Sequence, residues 1–238
     1  SAKYSMMEVV MHETGHNFFP MIINSDERQW SWMDEGINCF VQYFAEKSWD
    51  SAFPSRRGPA DKVISYMKMP KKQLEPIMTS PDNIISFGAN VYTKTATAMG
   101  ILRRSILGDS LFDFAFKQYA KRWAFKHPAP ADLFRTMEDA SGEDLDWFWR
   151  GWFYGTDPCD LSIDTVSYFR TDSLQHYFYE LRVTNKGGLV MPVIVQWTFA
   201  DGTTETDRIP AQIWRYDEQH MAKAFMKDKE VIRILLDP

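Results

Sequence analysis

The spacing of apolar residues changes once along this sequence, at Pro158, and that change limits the possible folds more than any other feature. Before Pro158 the apolar residues recur at the helical spacing of about 3.6 residues. After it they alternate with polar residues, as at positions 177–184, with turn sequences such as 185–188 between the apolar runs. The sequence therefore predicts an α+β chain of two domains: a mostly α-helical one over residues 1–158 and a small antiparallel, β-sandwich-like one over residues 159–238.

The helical part is predicted to contain at least four helices, because its apolar spacing is interrupted by helix start and stop signals. Pro20 is expected to end the first helix. Residues 50–82 contain five prolines, so short helices and loops are expected there. The candidate helical segments are residues 5–18, 34–46, 92–107, 111–123, 131–140 and 144–154.

Composition excludes several classes of protein. Of the 238 residues, 45% are hydrophobic and 15% aromatic, which is typical of a packed globular protein and not of a disordered one. A net charge of -5 argues against broad binding to nucleic acid or to an anionic membrane surface. No apolar run approaches the roughly 18 residues of a membrane span. Two cysteines are too few for a disulfide framework or a thiolate zinc cluster.

The motif H-E-x-x-H lies in the first predicted helix, where it comprises His12, Glu13 and His16. Residues four apart lie one turn apart on the same helix face, so both imidazoles can reach one metal ion. The glutamate beside them can then address a water molecule on that ion. The alternative reading of the motif by itself is a pair of surface histidines.

A catalytic zinc site needs a third protein ligand, which in this chain should be His, Asp or Glu. His127, His176 and His220 lie far along the chain in loop or strand contexts, where a surface position is the more common one. Glu35 is the better candidate, because 18 residues separate it from His16. That gap accommodates a helix end, a loop and a return to the metal.

With this spacing, the sequence resembles a known family. H-E-x-x-H followed after 18 residues by a Glu within Trp-x-x-Glu-Gly resembles the gluzincin metallopeptidases of the aminopeptidase N family. Residues 92–94 resemble the family's Tyr-x-Lys-Gly element, although Thr95 replaces the glycine. Helical segments up to about residue 153 continue the likeness, which covers most of residues 5–158. Residues 16–20 and 32–34 look like a bacterial subgroup.

The resemblance implies a thermolysin-like catalytic lobe that binds one Zn²⁺ ion per chain. It assigns His12, His16 and Glu35 as zinc ligands, Glu13 as the general base and Tyr92 as a hydrogen-bond donor to the oxyanion. The implied activity is zinc-dependent peptide hydrolysis through a zinc-activated water, most simply by an aminopeptidase that removes N-terminal residues. The implied partner is a peptide or protein substrate, with no nucleic acid and no membrane span, and no oligomeric state is predicted.

One family motif is not found. Gly-x-Met-Glu-Asn, which precedes the zinc helix in the family and grips the substrate's α-amino group, does not occur in the eleven residues before His12. We therefore expect part of the substrate cleft to be encoded upstream of this sequence. A gluzincin endopeptidase, another zinc hydrolase and an inactive zinc-binding scaffold stay open as alternatives, as does inactivity of this piece alone. The bacterial likeness makes the periplasm or cell envelope the expected localisation.

Other residues carry less specific expectations. Asn38, Cys39 and Gln42 follow Glu35 on its helix at spacings that keep them near the metal-facing side, so one of them could orient a ligand, with Cys39 more simply a core residue. Asp34 would either support the site or cap the helix. The aromatic residues of 147–154 are expected in the core. A solvated face is expected for the basic residues Arg56, Arg57, Lys68, Lys71 and Lys72.

Overall fold

A computed structural model describes residues 2–170 and 176–237. By its internal contacts the chain divides into two compact units, Ser1–Thr156 and Asp157–Pro238. The first is helical and the second consists mainly of antiparallel strands, so the α+β class predicted from the sequence is confirmed. Among the described residues, no helix combines the length and the apolar character that crossing a bilayer requires.

The helical unit is built from helices whose positions follow the predicted segments closely. Wider, π-helical turns adjoin some of these helices: Trp32–Gly36 leads into Ile37–Trp49, Gly88–Lys94 leads into Thr95–Ile101, and Leu102–Leu107 follows Thr95–Ile101. Short 3₁₀ turns and one four-residue helix occupy the proline-rich stretch 50–82, as expected. The helices are α1 (Ala2–Gly15), α2 (Ile37–Trp49), α3 (Ile64–Met67), α4 (Thr95–Ile101), α5 (Asp109–Trp123), α6 (Pro130–Ser141) and α7 (Asp146–Tyr154).

The first helix ends earlier than predicted. α1 stops at Gly15, and the chain continues through the irregular turn Asn17–Ile22. Phe19 takes an extended conformation there, with φ -124° and ψ 105°, as steric contact with the ring of a following proline requires. Pro20 thus excludes a helical conformation at Phe19, four residues beyond the end of α1.

Aromatic side chains fill the core beneath the turn Trp32–Gly36. The Trp32 indole packs edge-on against Phe153, with 4.9 Å between the ring centroids. Phe134 stacks on Trp149 at 4.4 Å, and Phe134 also stacks on Trp32. The prediction that the aromatic residues of 147–154 belong to the core is confirmed for the four that are buried, Phe148, Trp149, Trp152 and Phe153. This core fixes the turn that carries Glu35.

The second unit contains two three-stranded antiparallel sheets. The strands are β1 (Leu161–Arg170), β2 (Tyr177–Asn185), β3 (Val193–Phe199), β4 (Thr204–Ile209), β5 (His220–Lys227) and β6 (Val231–Leu236). Their orders in the two sheets are β1-β2-β5 and β4-β3-β6. Contacts of Trp197 in β3 with Tyr179 in β2 and Phe225 in β5 bring the inner faces of the two sheets together, as in a β-sandwich.

A buried lysine links the two sheets. Lys227 of β5 is 4% exposed, and its Nζ lies 2.6 Å from both Glu205 Oε1 and Asp207 Oδ2 of β4. Trp197 Nε1 donates to the same Asp207 oxygen at 2.7 Å, and the ammonium group sits 4.8 Å from the indole centroid. Two carboxylates and an aromatic face thus compensate a cation that is shielded from water.

Candidate metal centre

Three potential ligand atoms converge beside α1. His12 and His16 lie one turn apart, and their Nε2 atoms are 3.2 Å from each other. Glu35 comes from the turn Trp32–Gly36, and its Oε2 lies 3.0 Å from His12 Nε2 and 3.4 Å from His16 Nε2. Two segments separated by a loop therefore bring two imidazoles and a carboxylate to one point.

The triangle formed by these three atoms fits a zinc ion in size and in chemistry. A tetrahedral ion with ligand bonds of about 2.0–2.1 Å places neighbouring ligand atoms about 3.3 Å apart. The observed separations are 3.0, 3.2 and 3.4 Å. Two neutral imidazoles and one carboxylate also form a common catalytic zinc ligand set, which leaves one coordination position open.

Asn38 joins α2 to α1 directly beside the histidines. Its side chain is fully buried, and Nδ2 donates to the His12 carbonyl oxygen at 2.8 Å. Gly15 makes this close approach possible, because a Cβ at that position would overlap Asn38 Oδ1. Gly36 likewise allows close packing on the other side of the site, where a Cβ would overlap Thr95 and the Val91 carbonyl. Both glycines are needed for packing, not for a special backbone conformation.

Gly15→Ala is expected to lower both the stability of the chain and its affinity for zinc. Asn38 is held by the His12 carbonyl and cannot give way, so the added methyl group must push α1 away from α2. Overpacking of this kind typically costs about 1–3 kcal/mol, and the shift would move both histidines relative to Glu35. Urea unfolding of the metal-free protein and competition with a zinc chelator measure the two effects. Gly88→Ala is the control, because a Cβ there meets no atom within 4 Å; equal losses in both variants would contradict this account.

The outer nitrogens of both histidines face acceptors. His12 Nδ1 donates to Gln42 Oε1 at 2.9 Å, and His16 Nδ1 donates to the Phe19 carbonyl oxygen at 2.8 Å. Asp34 Oδ1 also lies 2.9 Å from His16 Nδ1, so this residue supports the site. An acceptor opposite Nδ1 keeps a proton on that nitrogen, so Nε2 is the nitrogen that would give up its proton and bind a metal ion.

The charges at the site shift the pKa values of its residues. Contact with the Cys39 sulfur, followed by the hydrogen bond with Glu35, raises the pKa of His12 to about 10. Burial would raise the pKa of Glu35, but hydrogen bonds from His12 and Tyr92 outweigh it and lower the pKa. Burial and then the charge of Glu35 raise the pKa of Asp34 to about 6. The site thus concentrates negative charge around imidazoles, which favours a cation between them.

Tyr92 stands over the metal-facing side. Its hydroxyl donates to Glu35, and its ring stacks on that of His12 with 6.0 Å between centroids. Burial, and then the bond to Glu35, raise the pKa of Tyr92, so the phenol stays protonated and able to donate. The Arg57 guanidinium lies 4.2 Å from the Tyr92 ring centroid, and its Nη1 donates to Cys39 Sγ at 3.3 Å. The prediction that Arg57 belongs to a solvated face is therefore wrong.

Glu13 has a different environment from the three convergent residues. Its side chain is exposed on α1 next to His12. Within residues 2–170 and 176–237, no hydrogen bond or ion pair engages its carboxylate. It is therefore available to water and substrate, whereas Glu35 is committed to the triangle.

Comparison with known proteins assigns the family. The sequence profile of the Peptidase family M1 domain matches residues 1–152, well over half of the chain. The chain belongs to peptidase family M1. This confirms the gluzincin of the aminopeptidase N family recognised from the sequence, and with it the hydrolase and metallopeptidase classes.

Curated relatives of this M1 chain are aminopeptidases. Aminopeptidase N of Lactococcus lactis subsp. lactis is 25% identical over 213 residues, which cover 84% of this chain and 24% of the relative. Glutamyl aminopeptidase of Bos taurus is 26% identical over 155 residues, covering 59% of this chain and 15% of the relative. The M1 chain therefore spans about a quarter or less of the length of these relatives.

Solved structures share the fold. Aminopeptidase A of Legionella pneumophila, in complex with aspartic acid, has a TM-score of 0.51 and 16% identity over 96% of this chain and 24% of its own. A mutant M1 zinc metallopeptidase of Deinococcus radiodurans, bound to a Tyr-Ser-Ala substrate, has a TM-score of 0.53 and 18% identity over 64% of this chain and 34% of its own. At these identities the likeness concerns the fold alone.

The structure brings most of the sequence-predicted site residues together. His12, His16 and Glu35 form the triangle, Tyr92 contacts it, and Glu13 stands beside it in solvent. The three residues singled out on the helix after Glu35 all reach His12. The sequence reasoning missed Arg57 and Glu46, of which the second lies behind Gln42. The sequence alone does not indicate these positions, because the residues that Arg57 and Glu46 contact are determined by long-range packing.

Proposed function

We propose that this M1 chain carries the catalytic site of a zinc-dependent aminopeptidase, which binds one Zn²⁺ ion per chain and removes N-terminal residues from peptides or proteins. The convergence of His12 Nε2, His16 Nε2 and Glu35 Oε2 is the observation that carries the proposal. Because the chain spans about a quarter of the length of its relatives, the proposed activity is that of the whole protein.

The ligand residues supply a rigid, directed metal site. His12 and His16 have their Nδ1 protons occupied by acceptors, so each presents Nε2 as a lone-pair donor. Glu35 completes the set from a turn that Gly36 packs tightly against Thr95. Zinc bound there would lower the pKa of water from about 15.7 towards 7 and would polarise the scissile carbonyl group.

Glu13 moves the proton in the proposed reaction. Its carboxylate accepts a proton from the attacking water and passes it to the nitrogen of the leaving amine as the C–N bond breaks. This role requires a carboxylate that is close to the triangle but outside it. The exposed and unpaired side chain of Glu13 supports that assignment.

Tyr92 stabilises the negative charge that develops on the carbonyl oxygen. A phenol whose pKa is raised keeps its proton at neutral pH, so it donates a hydrogen bond without giving the proton away. Arg57 and the His12 ring both contact the Tyr92 ring and limit its motion. The donor is thus held in place before substrate arrives.

Tyr92→Phe is expected to lower kcat by about 10²- to 10³-fold with zinc binding retained, because one oxyanion donor is lost and no metal ligand is removed. Hydrolysis of amino-acid anilides by the full-length protein and zinc stoichiometry measure the two parts. Tyr43→Phe removes a phenol hydroxyl elsewhere in the helical unit and is the matched control, with no change in kcat. Unchanged turnover in Tyr92→Phe, or loss of its zinc, would rule out the assignment.

Peptides with a free and with an acetylated N-terminus test whether the protein cleaves at the N-terminus or at internal bonds. The similarity to aminopeptidases supports hydrolysis at a free N-terminus. The full-length protein should release the first residue of an unblocked peptide and leave its N-acetylated counterpart intact. Internal cleavage of the acetylated peptide would identify an endopeptidase instead. Zinc binding with no hydrolysis of either peptide would identify an inactive scaffold.

A further inference from the structure

A buried carboxylate lies behind the metal centre and takes no part in the reaction described above. Glu46, on α2, is 2% exposed, and its Oε1 accepts a hydrogen bond from Gln42 Nε2 at 2.7 Å. Gln42, 6% exposed, in turn accepts the Nδ1 proton of His12 at 2.9 Å. Glu46, Gln42 and His12 therefore form a continuous chain from the interior of the helical unit to the metal-facing nitrogen.

The direction of this chain follows from the chemistry of its members. A side-chain amide can present either its oxygen or its NH₂ group to a neighbour, and a neutral imidazole can carry its proton on either nitrogen. A carboxylate, however, only accepts. Glu46 therefore draws the NH₂ group of Gln42 towards itself, which turns Oε1 towards His12 and requires the His12 proton to be on Nδ1.

One other acceptor faces Gln42. The Glu8 carbonyl oxygen receives a longer hydrogen bond from Nε2, at 3.2 Å. This oxygen is the acceptor position for the α1 backbone hydrogen bond from His12, four residues later, so it offers Gln42 only its remaining lone pair. The shorter bond to a buried charged group is the stronger restraint on the amide.

We infer that Glu46 is a positioning residue that acts through Gln42 to fix the tautomer and the ring orientation of His12 for metal binding. The inference rests on the proposed zinc site. Without Glu46 the amide can reverse, and its NH₂ group would then face Nδ1. The His12 proton would move to Nε2, the nitrogen that has to bind the ion. Partners of this kind behind a metal ligand typically change metal affinity by about 10- to 100-fold.

Zinc affinity, measured by chelator competition on the full-length protein, tests this inference. Glu46→Leu removes the acceptor and is expected to weaken zinc binding by about 10- to 100-fold. Glu46→Gln keeps an acceptor oxygen at the same place and should restore most of the affinity. Gln42→Met should lose as much as Glu46→Leu, and combining the two should cause no further loss, because both act on one chain of hydrogen bonds.

Two further measurements separate positioning from general loss of structure. Phe40→Leu alters the packing of the same helix against Phe112 and Phe116 and leaves Glu46, Gln42 and His12 unchanged, so its zinc affinity should equal that of the parent. NMR of the His12 ring in the zinc-loaded protein should show a hydrogen-bonded Nδ1–H in the parent and in Phe40→Leu, and an Nδ1–H that exchanges faster with water in Glu46→Leu.

The outcomes are distinct. The inference would be overturned, and the proposed zinc site retained, if Glu46→Leu bound zinc as tightly as the parent or if Phe40→Leu lost as much zinc affinity as Glu46→Leu. A parent chain that binds no zinc would overturn the proposed function and this inference together. Weakened binding with rescue by Glu46→Gln and faster exchange of the His12 Nδ1 proton would establish it.

Discussion

Glu13→Gln is expected to lower peptide hydrolysis by about 10²- to 10⁴-fold and to leave zinc binding unchanged. The amide has the shape of the carboxylate but cannot accept a proton from water at neutral pH. Glu13 is exposed and makes no hydrogen bond or ion pair with the rest of the described chain, so its replacement removes no contact that supports the fold. The loss should appear in kcat, because the proton moves only during the reaction.

The experiment uses the full-length protein and a panel of amino-acid anilides, with zinc content measured on the same samples. Glu143→Gln is the matched control, since it makes the same chemical change at an exposed position between α6 and α7. It should retain the parent rate. Full hydrolysis by Glu13→Gln would eliminate Glu13 as the general base, and loss of its zinc would show that Glu13 belongs to the metal site.

Glu35→Gln is expected to reduce zinc affinity by more than about 100-fold, and hydrolysis with it. Groups that only support a metal ligand typically contribute about 10- to 100-fold, and a direct carboxylate ligand should exceed them. Glu35 also accepts the Tyr92 hydroxyl proton and lies within 3.4 Å of both imidazole Nε2 atoms. The neutral amide removes the negative charge from the centre of this arrangement while keeping its shape.

Competition with a chelator measures the affinity, and the thermal unfolding of the zinc-free forms provides the control for folding. Glu75→Gln makes the same change at a glutamate outside the metal centre and should bind zinc like the parent. If Glu35→Gln binds zinc as tightly as the parent, the third zinc ligand must be a residue other than Glu35. If Glu35→Gln binds zinc weakly and excess zinc restores both binding and hydrolysis, the loss of hydrolysis is due to the loss of the metal alone.

The sequence predicted that His12, His16 and Glu35 come together, because the geometry that joins them is mostly local. Four-residue spacing on α1 determines how His12 and His16 face each other, and the 18-residue gap to Glu35 is closed by one turn and one loop. The same helical spacing pointed to Asn38 and Gln42. These relations follow from helix geometry and need no knowledge of distant contacts.

Other parts of the molecule depend on contacts that the sequence does not reveal. Tyr92 was identified only through the family likeness, because a π-helical turn and packing far from Glu35 in sequence bring it to the site. Strand β5 has a weak signal in the sequence, since alanines weaken its alternation and its pairing with β2 defines it. In the sequence alone, Arg57 and Glu46 look like ordinary charged residues, because only the packing around them shows what their side chains contact.

The buried lysine of the β unit has a consequence for how its strands align. Side chains alternate between the two faces of a strand, so a slip of β4 by one residue would turn Asp207 and Glu205 outward. Lys227 would then be left inside without a counterion, at a cost of several kcal/mol. The ion pairs thus discriminate between alignments: they add little to the correctly paired sheets, but they penalise every pairing that is displaced by one position.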